Sequence, residues 1–148
     1  MSTVAATGEI QTLLYRYALA VDQRDQAALE QCFVAGSKII GPGYELAGPI
    51  AAIIVSELQR RFVWTQHNVF NPLYEVEADT AVGSVNGIAS HVERQEDGTF
   101  LKHDWLIHYH DRLVREAGSW RFLERRMEVP FIATAAVSAL GFNGGAGV

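Results

Sequence analysis

The feature that most constrains the fold of this 148-residue chain is a change of hydrophobic period near Thr65. Before that position, apolar residues recur three or four residues apart, as they do along one face of a helix. After it, apolar and polar residues alternate, which is typical of strands that bury one face. Helices followed by a run of strands predict an α+β domain, with the helices packed on one face of a sheet.

Three helices are predicted in the first part. Thr7 is the predicted N-cap of the first helix, whose inner face carries Leu14 and Val21. Asp25 is the predicted N-cap of a short second helix that reaches Cys32 and Phe33. A third helix follows Gly48-Pro49 and ends near Phe62, and the segment from Ser37 to Leu46 between the second and third helices is predicted to be extended.

Four strands are predicted in the second part, and the segments between them contain the Gly, Asp and Ser residues that favour hairpin turns. These strands are Thr65–Val76, Ala81–Glu93, Phe100–Arg115 and Trp120–Val129. Consecutive hairpins make a curved antiparallel sheet. Pro72, inside the first strand, predicts a bulge or a bend because proline cannot donate a ladder hydrogen bond.

Length and composition indicate one globular domain over residues 1–148, since 49% of the residues are hydrophobic and 20% are charged. The stretch 132–148 is predicted to be a tail that either frays or closes over a pocket as a lid. A net charge of −5 with no basic stripe argues against nucleic acid as a partner. No run approaches the roughly 20 apolar residues of a membrane span. The first residues lack the features of a signal peptide, and the single cysteine fits a reducing compartment, so we expect a cytoplasmic protein.

The strand Ala81–Glu93 predicts a cavity. One of its faces carries mostly Gly and Ala, which leave volume between the sheet and the helices. His91 ends this row of small residues, at the rim of the predicted cavity or inside it.

Asp22 and His67 are the best candidates for a catalytic pair. Asp22 closes the first helix, where a carboxylate gains nothing from the helix dipole, so another contact is expected to hold it. A carboxylate bonded to histidine orients the ring and stabilises the imidazolium that forms when the ring takes up a proton. Without a partner, Asp22 would instead contact the following turn.

The other histidines indicate no metal site. His108 and His110 share a polar strand face, where His-x-His can bind zinc, but no third ligand is evident. His103 is predicted to be structural, and we expect neither a metal nor a cofactor. Three arginines near the last strand alternate with acids and are predicted to lie on the solvated surface of the sheet, where they would not form an anion site: Arg121, Arg125 and Arg126.

The chain resembles the SnoaL-like branch of the NTF2-like superfamily, whose members are cone-shaped α+β barrels. The resemblance runs from about Ile10 to Val129 and is carried by three groups of segments: Leu14-Tyr15-Arg16-Tyr17-Ala18-Leu19-Ala20-Val21-Asp22, then Thr65-Gln66-His67, then His110-Asp111-Arg112-Leu113-Val114-Arg115 with Gly118-Ser119-Trp120-Arg121. Within it the chain is most similar to scytalone dehydratase-like proteins, and the Asp-His pair is shared with hexachlorocyclohexane dehydrochlorinase. The resemblance implies catalytic roles for Asp22, His67 and His91.

The match is incomplete where the substrate would bind. The dehydratases have a tyrosine where this chain has Val21, and a Ser and Asn pair that corresponds here to Ile107 and Tyr109. Their water-holding tyrosine corresponds to Tyr44. The predicted substrate-binding residues are Tyr44, Tyr109, Tyr15 and Trp105.

The resemblance implies a lyase, a dehydratase that removes a proton next to the carbonyl of a cyclic hydroxy ketone. Two alternatives stay open: an isomerase or polyketide cyclase with the same pair of residues, and a non-catalytic subunit such as the small subunit of a ring-hydroxylating dioxygenase. A homo-oligomer, dimer or trimer, is also expected. Its interface is predicted on the uncovered sheet face, where His108, His110 and Arg112 would lie beside Trp120 and Phe122 or their neighbours.

Overall fold

The computed structural model describes residues 3–142. Three helices precede a large sheet, as the change of period predicts. In chain order the elements are α1 (Thr3–Gln23), α2 (Gln26–Glu30), β1 (Phe33–Gly41), β2 (Tyr44–Ala47), α3 (Ile50–Arg61), β3 (Trp64–Glu77), β4 (Thr80–Arg94), β5 (Phe100–Glu116) and β6 (Ser119–Val137).

The sheet has six strands in the order β2-β1-β6-β5-β4-β3. The four long strands form the predicted antiparallel meander. The sheet as a whole is mixed, because β1 pairs in parallel with β6 and antiparallel with β2. The expectation of a purely antiparallel sheet is therefore wrong: the chain between α2 and α3 adds two strands to the edge that β6 would otherwise leave unpaired. The α+β class is confirmed, and the curved sheet is not closed into a barrel.

The core lies between α1 and the inner face of the sheet. Leu14 and Val21 of α1 are 0% and 1% exposed, and Leu113 and Phe122 meet them from β5 and β6. Because α1 crosses the sheet beside β3, its last turn is brought to the start of that strand. This crossing places Asp22 next to the Thr-Gln-His segment.

Two helix boundaries differ from their predictions. α1 begins at Thr3, so Thr7 lies inside the helix; Ala5 and Ala6 favour helix, and Ala6 is buried in the core. Asp25 is the N-cap of α2 as predicted, and its carboxylate accepts a hydrogen bond of 3.0 Å from the backbone N–H of Ala28. That helix ends at Glu30, so Cys32 lies just beyond it and Phe33 begins β1.

A bulge in β3 confirms the prediction from Pro72. The pairing with β4 shifts between Phe70 and Leu73, and Asn71 adopts a left-handed φ of 52°.

A second irregularity overturns one prediction from strand alternation. The pairing of β5 with β6 shifts between Arg112 and Leu113, which leaves an extra residue, Leu123, in β6. The faces of β6 are exchanged beyond that point, because side chains alternate with a period of two. Arg125 therefore points inward and is 0% exposed, so its assignment to the solvated surface is wrong.

The uncovered sheet face also differs from its prediction. Trp120 and Phe122 are 5% and 0% exposed, since they lie on the inner face with Leu113, and neither is available to an interface there. The apolar residues that this face does expose include the cross-strand row Ile88, Leu106 and Phe131. The homo-oligomer stays a prediction.

The predicted tail is in part a strand. β6 continues to Val137, which takes in residues 132–137, whereas residues 143–148 lie outside the described residues. Among residues 3–142, no helix is both long enough and apolar enough to span a membrane.

Candidate active site

A cavity of about 440 Å³ lies between the inner face of the sheet and the helices α1 and α3. Its volume falls within the range of small-molecule sites. Predominantly apolar side chains line it, together with a few polar or charged ones: His67, His91, Tyr17, Tyr44, Tyr109, Glu57 and Arg61. A second, more open apolar depression of about 450 Å³ lies beside Trp64 and Val92 and includes none of the predicted site residues.

Asp22 and His67 form the hydrogen-bonded pair that their chemistry predicts. Nδ1 of His67 lies 2.7 Å from Oδ1 of Asp22, and the backbone N–H of His67 donates to Oδ2 at 2.8 Å. Because a carboxylate only accepts, the ring hydrogen lies on Nδ1. Nε2 makes no hydrogen bond within residues 3–142, so this nitrogen is available to a ligand in the cavity.

Two further side chains hold this pair. The hydroxyl of Thr65 donates to Oδ1 of Asp22 at 3.0 Å. Nη1 of Arg24 in turn donates to the Thr65 hydroxyl oxygen at 2.7 Å and to the carbonyl of Val21 at 2.7 Å. The Asp22 carboxylate therefore accepts three hydrogen bonds, one of them from a hydroxyl that is itself bonded to a cation.

His91 lies beside the pair as a buried neutral ring. It is 5% exposed and stacks near Phe62 and Trp105, with ring centroids 4.7 and 5.2 Å away, and its ring is 5.5 Å from that of His67. Burial, and secondarily the neighbouring His67, lowers the pKa of His91 to about 4. Its Nδ1 has no hydrogen-bond partner in the described part of the chain. A neutral histidine can donate a hydrogen bond to a developing oxyanion, as an imidazole in place of an imidazolium.

Three tyrosines lie on the cavity wall away from the histidines. Burial raises the pKa of Tyr44 to about 12, and it also raises the pKa values of Tyr17 and Tyr109, so their hydroxyls keep their protons. Gly87 makes room for one of them, since a Cβ there would lie 2.7 Å from the Tyr109 ring. The small residues of β4 therefore accommodate neighbouring rings as well as the cavity.

The structure brings most of the predicted site residues together. Tyr44, Tyr109 and Trp105 line the cavity with His67 and His91. Tyr15 is not among the lining residues and is 57% exposed, because it lies on the outer face of α1, one residue away from the buried Leu14. Val21 and Ile107, where the chain departs from the dehydratase pattern, do line the cavity.

The remaining histidines make contacts away from the cavity. His103 lies 3.0 Å from both Glu93 and Thr134, and His108 lies 2.6 Å from Asn86. The described residues contain no group of three His, Cys, Asp or Glu side chains placed to hold a metal ion.

Sequence reasoning missed a second charged pair, which is buried behind the cavity. Nε and Nη2 of Arg125 donate to the two carboxylate oxygens of Asp111 at 3.0 and 3.2 Å, and the Tyr74 hydroxyl donates to Oδ2 at 2.6 Å. The guanidinium lies against the rings of Tyr17 and Tyr109, whose centroids are 4.6 and 3.9 Å from Cζ. The alternation of apolar and polar residues along β5 places Asp111 on the inner face. The alternation along β6 gives no sign of the bulge that turns Arg125 inward.

A family model described as a SnoaL-like domain matches residues 2–126, which is most of the chain. The chain belongs to the SnoaL-like domain family. Its helices and six-stranded sheet form a SnoaL-like fold within the NTF2-like superfamily, as the resemblance implied. No curated protein sequence matches the chain significantly.

Solved structures support the same SnoaL-like fold. A hexachlorocyclohexane dehydrochlorinase (LinA) type 2 superposes with a TM-score of 0.80 at 20% identity, covering 94% of this chain and 97% of that one. A candidate scytalone dehydratase from Novosphingobium aromaticivorans gives 0.79 at 18% identity and coverages of 92% and 91%. A candidate aromatic ring hydroxylase from the same species gives 0.77 at 20% identity and coverages of 93% and 96%. At these identities the likeness extends to the fold alone.

Proposed function

We propose that this protein is a lyase that dehydrates a compact cyclic hydroxy ketone by general-base catalysis with its own side chains. The observation that carries the proposal is the Asp22–His67 pair, in which the bond of 2.7 Å to Nδ1 leaves Nε2 as the nitrogen available to a ligand. The neighbours named as lyases or candidate lyases, a dehydrochlorinase and a candidate scytalone dehydratase, support this class of reaction.

In the proposed reaction, Nε2 of His67 takes the proton from the carbon next to the carbonyl. The electrons of that C–H bond form an enolate, whose oxygen accepts a hydrogen bond from a neutral donor of the cavity wall, His91. The enolate then collapses to a C=C bond as the C–O bond of the hydroxyl group breaks. The imidazolium of His67 returns its proton to the departing oxygen, so water leaves and the base is regenerated.

His91 assists this reaction as a hydrogen-bond donor and not as the acid. With a pKa lowered to about 4, the ring is neutral near pH 7 and keeps one N–H to donate, but it lacks the acidic second hydrogen of an imidazolium. This observation also favours one alternative, an isomerase or polyketide cyclase, in which His67 returns the proton to a carbon atom and no leaving group needs protonation. The two outcomes are distinguished by product mass, because dehydration removes the mass of water and isomerisation does not.

The proposal is tested by incubating the protein with a panel of cyclic β-hydroxy ketones and measuring product mass. Wild-type protein is expected to release water from at least one of them, and His67→Ala is expected to lower the rate about 10²- to 10⁴-fold. His110→Ala is the control, since its side chain is half exposed and contacts Glu128 outside the cavity. Full turnover by His67→Ala would exclude the mechanism. Binding of the ketones without any turnover would favour the non-catalytic subunit.

A further inference from the structure

The contacts around Asp22 include a chain of hydrogen bonds that the proposed reaction does not use. It runs from the Arg24 guanidinium to the Thr65 hydroxyl, from there to Oδ1 of Asp22, and from the same oxygen to His67. Its three lengths are 2.7, 3.0 and 2.7 Å. Thr65 is 4% exposed, so water does not compete for its hydroxyl.

The direction of these hydrogen bonds follows from the chemistry of the donors. Arginine can only donate, so the Thr65 oxygen must accept from Arg24, and its own hydrogen is then free to point at the carboxylate. The cation therefore orients the hydroxyl as a donor to Asp22. A hydroxyl polarised by a cation withdraws charge from the carboxylate more strongly than a hydroxyl alone, because hydrogen bonds in a chain polarise one another.

We propose that Arg24 and Thr65 are positioning residues that weaken the proton affinity of His67 and so keep its Nε2 free as a base near neutral pH. A carboxylate bonded to histidine stabilises the charged ring and raises its pKa, which would leave the base already protonated. Sharing the Asp22 charge with Thr65 and Arg24 opposes that effect while preserving the bond that orients the ring.

The backbone conformation of Arg24 is an unusual one, and it allows the side chain to reach Thr65. Arg24 has a left-handed φ of 56°, a conformation that is costly for a residue with a side chain. In it, the guanidinium reaches both the end of α1 and the start of β3.

Other charged groups near His67 come from each element that surrounds it. α1 and its following turn contribute Asp22 and Arg24, β4 contributes His91, and the cavity wall formed by α3 contributes Glu57 and Arg61. Glu57 is held in an ion pair of 2.6 Å with Arg60, and His91 is neutral near pH 7. Of these two arginines, Arg24 is the one that hydrogen bonds connect to Asp22, through the hydroxyl of Thr65.

The test is a pH titration of His67 by nitrogen-15 NMR on full-length protein labelled at histidine, which reports the pKa and the position of the ring hydrogen without any substrate. Arg24→Gln is expected to raise the pKa of His67, because less of the Asp22 charge is then shared with Thr65 and more of it stabilises the charged ring. Thr65→Val, which keeps the shape of the side chain and removes the hydroxyl, is expected to raise it similarly. Thr65→Ser restores the hydroxyl and is expected to return the pKa to the wild-type value.

Arg16→Gln is the matched control, because it removes the same charge from the exposed face of α1 and should leave the pKa of His67 unchanged. If Arg24 acts through Thr65, the double variant with Arg24→Gln and Thr65→Val should titrate like Thr65→Val alone. Additive shifts would overturn the proposal, since Arg24 would then act directly through its charge. An unchanged pKa in Arg24→Gln would overturn it as well.

A second test rests on the proposed function, because a higher pKa of His67 would leave the base protonated near neutral pH. For a hydroxy ketone that the protein turns over, the acidic limb of kcat/KM should move to higher pH in Arg24→Gln, with little loss of rate above pH 9 or so. A loss of rate that is equal at every pH would indicate a merely structural role and contradict the proposal. The NMR titration needs no substrate and no turnover. Its result therefore tests the role of Arg24 and Thr65 even if the protein proves not to be a lyase.

Discussion

Two carboxylate pairs lie on the inner side of the same sheet, and their surroundings suit them to different tasks. The Asp22 and His67 side chains are 19% and 11% exposed and border the cavity, whereas those of Asp111 and Arg125 are both 0% exposed. Histidine exchanges its proton near neutral pH, but arginine does not. The first pair therefore has a nitrogen that can gain and lose a proton, while the second is a permanent ion pair.

The buried pair is also the more completely enclosed. Burial lowers the pKa of Arg125, but the Asp111 carboxylate together with Tyr109, Tyr17 and Tyr74 more than offsets this effect, so the pKa is raised overall. The Tyr74 hydroxyl donates to the same carboxylate, and three aromatic rings surround the guanidinium. The comparison teaches that burial alone does not mark a catalytic pair: neither member of the more deeply buried pair lines the cavity, so neither can reach a substrate there.

The largest expected effect comes from breaking the buried pair. Asp111→Ala leaves the Arg125 charge without its partner in the core, and we expect it to reduce the free energy of unfolding by about 3–5 kcal/mol. Urea unfolding followed by circular dichroism measures this loss. Asp104→Ala, on the opposite face of β5 where Asp104 pairs with Lys102, is the control and should cost less than about 1 kcal/mol. Equal losses in the two variants would contradict the role given to Asp111.

Lowering the pH should affect the cavity side of the molecule through His91. Its pKa is lowered to about 4 in the folded protein from 6.5, so the unfolded chain binds the proton more tightly. The stabilising contribution is complete above pH 6.5 and is lost as the pH falls toward 4. Between about pH 7.5 and pH 5, this group should account for roughly 2 kcal/mol of lost stability.

His91→Gln removes the titrating ring and should be less sensitive to pH over that interval when urea unfolding is repeated at both pH values. His110→Gln, which removes a half-exposed histidine, should keep the wild-type dependence. The same pH dependence in wild type and His91→Gln would show that another group is responsible.

The smallest expected change in stability is at the Asp22–His67 pair. Asp22→Asn keeps the shape of the side chain but removes its charge, and we expect it to cost about 1 kcal/mol in the free energy of unfolding. The ring of His67 should at the same time lose its preference for hydrogen on Nδ1, which nitrogen-15 NMR detects. A stability loss as large as that of Asp111→Ala would make Asp22 chiefly a structural residue.

Much of the fold was predictable from periodicity, since local alternation is enough to define β3, β4, β5 and most of β6. The parallel pairing of β1 with β6 was not, because it depends on which edge a distant segment reaches after α1 and α2 have packed. The inward turn of Arg125 was not predictable either, since one extra residue in β6 exchanges its faces. Both failures concern how two strands pair, and the sequence of one strand alone does not determine its partner or its register.

The candidate site shows the same division. The chemistry of an aspartate at a helix end and of a histidine in a strand indicated a pair, but only the crossing of α1 beside β3 brings residues 45 positions apart within 2.7 Å. Arg24 and Thr65 each lie two positions from one of those residues in the sequence, yet their roles depend on which hydrogen-bond acceptor each reaches. Tyr15 was misassigned because a shift of one position on a helix moves a side chain by about 100° around the axis.

The most direct test of the central claim, that His67 abstracts a proton next to a carbonyl, is hydrogen exchange in D₂O. Cyclic ketones without a leaving group are incubated with wild-type protein and with His67→Ala, and deuterium at the carbon next to the carbonyl is measured by proton NMR. We predict that wild-type protein accelerates the exchange of at least one ketone that binds in the cavity, and that His67→Ala does not. Equal exchange by both proteins, with binding of the ketone confirmed, would contradict the claim.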